Sequence, residues 1–242
     1  MPMNKKETHN RIETIDALRG FCVVLMAAHH LLFNLHYFLG APRWVFHNPA
    51  FDILAPFFAG VFIFLSGLSS RFSSNNIKRG LKAFALAAVI TVVTYYFVET
   101  PIWFGVLHLL GFSMVFYGLT YKFWDLIPKP AAPAFFVFLI IGGAVWANAT
   151  AIPNYAAWVL GFGPPGREFL FSYDFFPIVP WLFVFLLGTR AGTYVKERKL
   201  PEKFYDQKIP VFPKIGRKAL LIYILHQPVL YGAVMGIRFL FF

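Results

Sequence analysis

Apolar residues gather in stretches of about 17 to 25, close to the roughly 20 that an α-helix needs to cross a bilayer. Cutting these runs at their polar or proline-containing interruptions predicts seven spans: Ile15–Leu39, Phe51–Ser70, Lys82–Val98, Ile102–Tyr121, Ala131–Ala147, Phe176–Val195 and Arg217–Phe241. The short junction at Pro101 makes the third and fourth a tight hairpin. The first run follows Lys5, Lys6 and Arg11, as a secretory signal would. It also carries Asp16 and Arg19, continues to about Phe38 and is followed by further spans, so it reads as an uncleaved first helix.

Composition agrees with that pattern. Charged residues make up 14% of the 242 positions, too few to cover a soluble surface, and apolar residues 58%. The expected fold is all-α, a polytopic membrane bundle of about seven transmembrane helices in one domain, 1–242, with little room for a soluble second domain. One cysteine, Cys22, excludes a disulfide framework or a thiolate cluster within the chain.

The charges settle an orientation. Lys and Arg concentrate in cytoplasmic segments beside the membrane. With a cytoplasmic N-terminus, 19 of the 22 basic residues fall inside, leaving Arg43, Arg167 and Arg238 outside. Arg190 is counted there with the connection between the sixth and seventh spans. The net charge of +11 is thus a topological signal and not a nucleic-acid footprint. Asp52, Glu99, Glu168 and Asp174 give the outer side a weaker acidic bias, which plain solvation also explains.

Ionisable groups inside spans are costly and mark cavities or polar contacts. Here they are mainly histidines: His29 and His30 in the first span, His108 in the fourth and His226 in the seventh. Counting residues from the span ends places all three helices' histidines near mid-membrane, so convergence is geometrically possible. At about 100° per residue, Asp16, Arg19, Met26 and Asn34 lie within about 40° of His30, while His29 aligns with Cys22 and His36. His30 therefore sits on a polar stripe that runs from the cytoplasmic end of the first helix to its outer third. A neutral imidazole there suits a general base or a nucleophile; it equally suits a histidine that hydrogen-bonds a neighbouring helix. No helical i, i+4 histidine pair supports a metal, and none is expected. The sequence contains no nucleophile elbow, P-loop or dinucleotide fingerprint. Gly60 and Gly67 suit close helix packing.

Several blocks, in order, carry a resemblance: Ile15-Asp16-Ala17-Leu18-Arg19-Gly20 leading to His30; Phe62-Ile63-Phe64-Leu65-Ser66-Gly67; Phe104-Gly105-Val106-Leu107-His108; Asp174-Phe175-Phe176-Pro177 with Pro180-Trp181; and Ile222-Tyr223-Ile224-Leu225-His226-Gln227-Pro228. Together they resemble the small prokaryotic members of the heparan-alpha-glucosaminide N-acetyltransferase catalytic-domain family. The resemblance implies a prokaryotic cytoplasmic-membrane acyltransferase. It would move an acyl group, typically acetyl from acetyl-CoA, to an extracytoplasmic sugar amine or hydroxyl of the cell envelope. Under that reading His30 is the general base, with His108 and His226 in the same cavity. His47 is the nearest match to a histidine of the family's first outer loop, with imperfect spacing, and Asn34 stands where relatives often carry an acid. Arg71, Lys78 and Arg79 would attract the CoA phosphates, with Arg19 at the inner mouth. The expected partners are the bilayer and a glycan or other envelope acceptor. Two other readings remain open: a transporter or channel with a histidine proton relay, and a non-catalytic subunit of an envelope biosynthesis complex.

Overall fold

The computed structural model describes residues 11–97, 101–163 and 174–241, and the described residues are helical with no strand. In chain order the helices are α1 (Glu13–Leu39), α2 (Pro49–Ser70), α3 (Asn76–Phe97), α4 (Val106–Asp125), α5 (Ala132–Ala149), α6 (Tyr155–Leu160), α7 (Ile178–Lys196), α8 (Glu202–Asp206), α9 (Phe212–Arg217) and α10 (Ala219–Phe241). Seven of them, α1 to α5, α7 and α10, are long and apolar enough to cross a membrane. They coincide with the seven predicted spans, and the chain is an integral membrane protein. Large apolar side chains such as Val92 on α3, Phe138 and Ile141 on α5 and Val229 on α10 stand more than half exposed. Lipid rather than water accounts for such surfaces.

Three boundaries differ from the sequence reading. α3 begins six residues before Lys82, because the Asn75 side chain accepts the Lys78 N–H and starts the helix among the basic residues. α4 begins at Val106 instead of Ile102 and runs on to Asp125. Its first amide donates to the Asp174 carboxylate at 3.3 Å, a partner 68 residues away that no local signal announces. Arg190, counted as a loop charge, lies inside α7 and is buried. Glu99, Arg167 and Glu168 lie outside the described residues.

The chain divides into two compact units, residues 1–62 with 200–242 and residues 63–199; α2 contributes to both. In the first, α1 packs against α9 and α10. The pairs Asp16 with Gly216, His30 with His226, Asn34 with Gln227 and Phe38 with Tyr231 advance together along the two segments, so α1 and α10 run parallel. Both therefore begin on the same side. α1 ends at Gly40, whose φ of 69° permits its amide to close back on the Leu35 carbonyl.

In the second unit α3 lies along α4 and α5 along α7. Helix contact without a solvent-driven hydrophobic effect rests on small residues that let backbones approach. Gly67 is one: a Cβ there would run into the Phe185 backbone of α7, and Gly188 meets the Phe64 backbone in the same way. On the side of this unit where α2 ends, Asp125 accepts from Arg71 at 2.9 Å and from Arg190 at 3.0 Å, Arg71 also donates to the Tyr117 hydroxyl, and Arg190 donates to the Ile127 carbonyl.

Candidate functional site

The polar stripe of α1 faces α9 and α10. At its beginning Asp16 is buried and accepts from Arg19 at 2.7 Å, one turn on. Four turns beyond Asp16 lies His30, about 21 Å along the helix by its 1.5 Å rise. Its ring stands 5.0 Å from that of His226, which is carried by the second turn of α10. Thus two of the three span histidines singled out from the sequence meet.

The state of His226 follows from its partner. Its Nδ1 lies 2.7 Å from the Tyr223 carbonyl, and a carbonyl only accepts, so the proton sits on Nδ1. The other nitrogen, Nε2, then carries the lone pair, and it is buried with no protein partner. Pro228, two residues on, has no amide to give to the Ile224 carbonyl, which loosens the backbone ladder at the turn that carries His226.

One turn beyond His30, Asn34 is fully buried. Its Oδ1 accepts from the Gln227 side-chain amide at 3.1 Å. That bond uses one half of each amide. Asn34 Nδ2 and Gln227 Oε1 are buried and have no partner among the described residues. A buried polar atom left unpaired costs about 1–3 kcal/mol, and three such atoms here, His226 Nε2 included, fall on two adjacent residues and the asparagine that contacts one of them. Sequence reasoning placed Asn34 on the stripe but had no signal for Gln227, which is visible only once α10 is laid beside α1.

The end of the same unit where α1 stops is lined with rings. His29 packs 5.0 Å from Phe46, and His36 lies 5.1 Å from His47, with its Nδ1 donating to the Ala41 carbonyl at 2.7 Å. His47 is exposed in the turn after the 3₁₀ segment Arg43–Val45. It lies with His36 and Phe46, and no direct contact joins it to the His30–His226 pair.

His108 belongs to the second unit and has a different setting. It is the third residue of α4, not a mid-helix residue, because α4 begins later than expected. The Gly105 amide donates to its Nδ1 at 3.2 Å, so its proton is on Nε2, which reaches the Thr91 hydroxyl at 3.2 Å; Thr91 in turn donates to the Ile102 carbonyl. Nδ1 thereby caps the start of α4, and Nε2 fastens it to α3. Among the basic residues, Arg19 and Arg71 are held by Asp16 and Asp125, whereas Lys78 and Arg79 are exposed at the start of α3. No group of three His, Cys, Asp or Glu side chains suited to a metal occurs among the described residues.

Compared with known proteins, residues 11–228 match the family described as heparan-alpha-glucosaminide N-acetyltransferase, catalytic. No curated protein and no solved structure gives a match.

Proposed function

The chain belongs to the heparan-alpha-glucosaminide N-acetyltransferase catalytic family, a membrane acetyltransferase family, and we propose that it acetylates an extracytoplasmic sugar amine or hydroxyl from acetyl-CoA supplied on the cytoplasmic side. The observation that carries the proposal is the His30–His226 pair, with the His226 lone pair fixed at Nε2 by the Tyr223 carbonyl.

In this reading the acceptor nitrogen or oxygen adds to the thioester carbonyl carbon as one imidazole of the pair takes its proton, the second ring standing 5.0 Å away. The C–S bond then breaks, and the proton returns to the departing CoA sulfur. Transfer in one complex is favoured because it converts a bimolecular attack into an oriented one. A fixed tautomer matters here, since a ring that could present N–H in place of its lone pair would be a base for only part of the time.

The donor's phosphates are drawn by basic residues on the side where α1 and α10 begin. Arg19 lies there with Lys214 and Arg217 of α9, all in the unit that holds the histidine pair. Of the other basic residues singled out from the sequence, Arg71 is tied to Asp125, and Lys78 and Arg79 stand exposed at the start of α3. The aromatic rim of His36, Phe46 and His47 at the other end of α1 suits a sugar acceptor, with His47 as a polar contact.

Purified protein in detergent, given acetyl-CoA and a panel of sugar amines and alcohols, should release one free thiol per acetylated product. His30→Ala and His226→Ala should each abolish that release while the protein remains folded. Absence of thiol release with every acceptor would overturn the proposal in favour of transport.

A further inference from the structure

The Asn34–Gln227 pair has hydrogen-bonding capacity that the protein leaves unused. Asn34 is fully buried one turn from His30, its Oδ1 anchored by Gln227 and its Nδ2 without a partner; Gln227 is the neighbour of His226, its Oε1 likewise unpaired. The two orphan atoms are of opposite kinds, a donor and an acceptor, and they sit beside a histidine whose lone pair is also unmatched. A ligand that satisfies all three offers a carbonyl oxygen for the donor and one N–H for each acceptor. That is the pairing of a thioester with a primary amine.

We infer that Asn34 Nδ2 donates to the thioester carbonyl oxygen of the donor substrate and holds the charge that gathers there in the transition state, while Gln227 Oε1 accepts from one N–H of the incoming amine. The inference rests on the acetyltransfer reading. When the acceptor adds to the carbonyl carbon, the C=O π electrons move onto oxygen, and the Asn34 N–H bonds more strongly to that oxyanion than to the neutral carbonyl. On collapse the C–S bond breaks, CoA leaves as the thiol with the proton carried by the histidines, and the carbonyl reforms in the product. A donor already fixed in a dry site needs no reorganisation as charge develops, which makes it more effective than a water molecule would be. The hydrogen bond from Gln227 provides that fixation by holding the Asn34 side chain against α10.

The test is isotope-edited infrared spectroscopy of acetyl-CoA labelled with ¹³C at the thioester carbonyl, bound to the reconstituted protein, together with steady-state kinetics. The thioester band should shift to lower frequency on binding to the wild type. Asn34→Leu, which keeps the volume and removes the donor, should abolish that shift and lower kcat by about 10²–10³-fold with donor KM changed much less. Gln227→Leu should weaken the shift and raise acceptor KM. Asn34→Val, which also lacks a hydrogen-bond donor, serves as the second variant and should match Asn34→Leu. Turnover without a band shift in the wild type, or a shift that survives Asn34→Leu, overturns the inference and leaves the histidine chemistry intact. A normal shift combined with undiminished turnover in His30→Ala and His226→Ala instead overturns the acetyltransfer site. Failure of acetyl-CoA to bind overturns both.

Discussion

Gly216→Ala tests how strictly the candidate site depends on the contact between α1 and α9. A Cβ at Gly216 would be driven into the Asp16 carbonyl, and that neighbour is helix backbone, not the tip of a flexible side chain. The two segments would have to part by more than about 1 Å to regain ordinary van der Waals spacing. Overpacking of this kind costs about 1–3 kcal/mol. Alanine's better helix propensity offsets less than about 1 kcal/mol of that, so a net loss of about 2 kcal/mol is expected, or about 4–8 °C in the melting temperature for a chain of this size. Because α9 leads directly into α10, the same displacement moves His226 relative to His30. A misplacement near 1 Å can cost about 10²-fold in rate. The assay is thermal unfolding in detergent beside acetyl transfer, with Gly232→Ala and Gly236→Ala as controls. Both controls have open space around the new methyl and should match or slightly exceed wild-type stability. Wild-type melting and turnover in Gly216→Ala would refute the close approach of these backbones.

Further outcomes follow from the second unit. Asp125→Ala leaves the buried Arg190 without its carboxylate and should destabilise the protein by about 3 kcal/mol in urea or thermal unfolding, more than Lys129→Ala does. Thr91→Val removes the partner of His108 Nε2 and should cost about 1–2 kcal/mol, read by the same unfolding measurement. Glu197, outside the spans, accepts from Lys129 and Lys199, and these bonds lower its carboxyl from the ordinary value to about 2. A depressed carboxyl contributes stability that is complete above its unfolded value of about 4.5 and is lost as pH falls towards 2. The melting temperature of Glu197→Gln should accordingly vary less than the wild type's between pH 4.5 and 2, with the difference shrinking in high salt.

The spans were legible because membrane insertion imposes a length and a composition on each helix, and both can be read directly from apolar runs. What escaped was set by partners remote in sequence. α4 starts at Val106 because Asp174 receives its first amide and His108 receives the amide of Gly105. Arg190 passed for a loop charge because the carboxylate that permits its burial, Asp125, lies 65 residues away. The short helices α6, α8 and α9 were missed since six residues or fewer give no clear period. At the site, helical geometry alone put Asp16, Arg19, His30 and Asn34 on one face, and the structure finds that face against α9 and α10. Which histidine met His30 depended on the order of packing, which a single sequence does not encode. The same holds for the His226 tautomer, decided by a carbonyl three residues back, and for the role of Gln227.

The central claim is that His30 and His226 act as one centre, and a double-mutant cycle on acetyl transfer measures it most directly. Groups that work as a unit are strongly non-additive: losing either removes what both provide. His30→Ala and His226→Ala, assayed for kcat in proteoliposomes with labelled acetyl-CoA, should therefore fall to similar residual rates, and the double variant should be no slower than either. Wild-type turnover in either single variant, or a double variant whose loss is the product of the two single losses, would contradict the account.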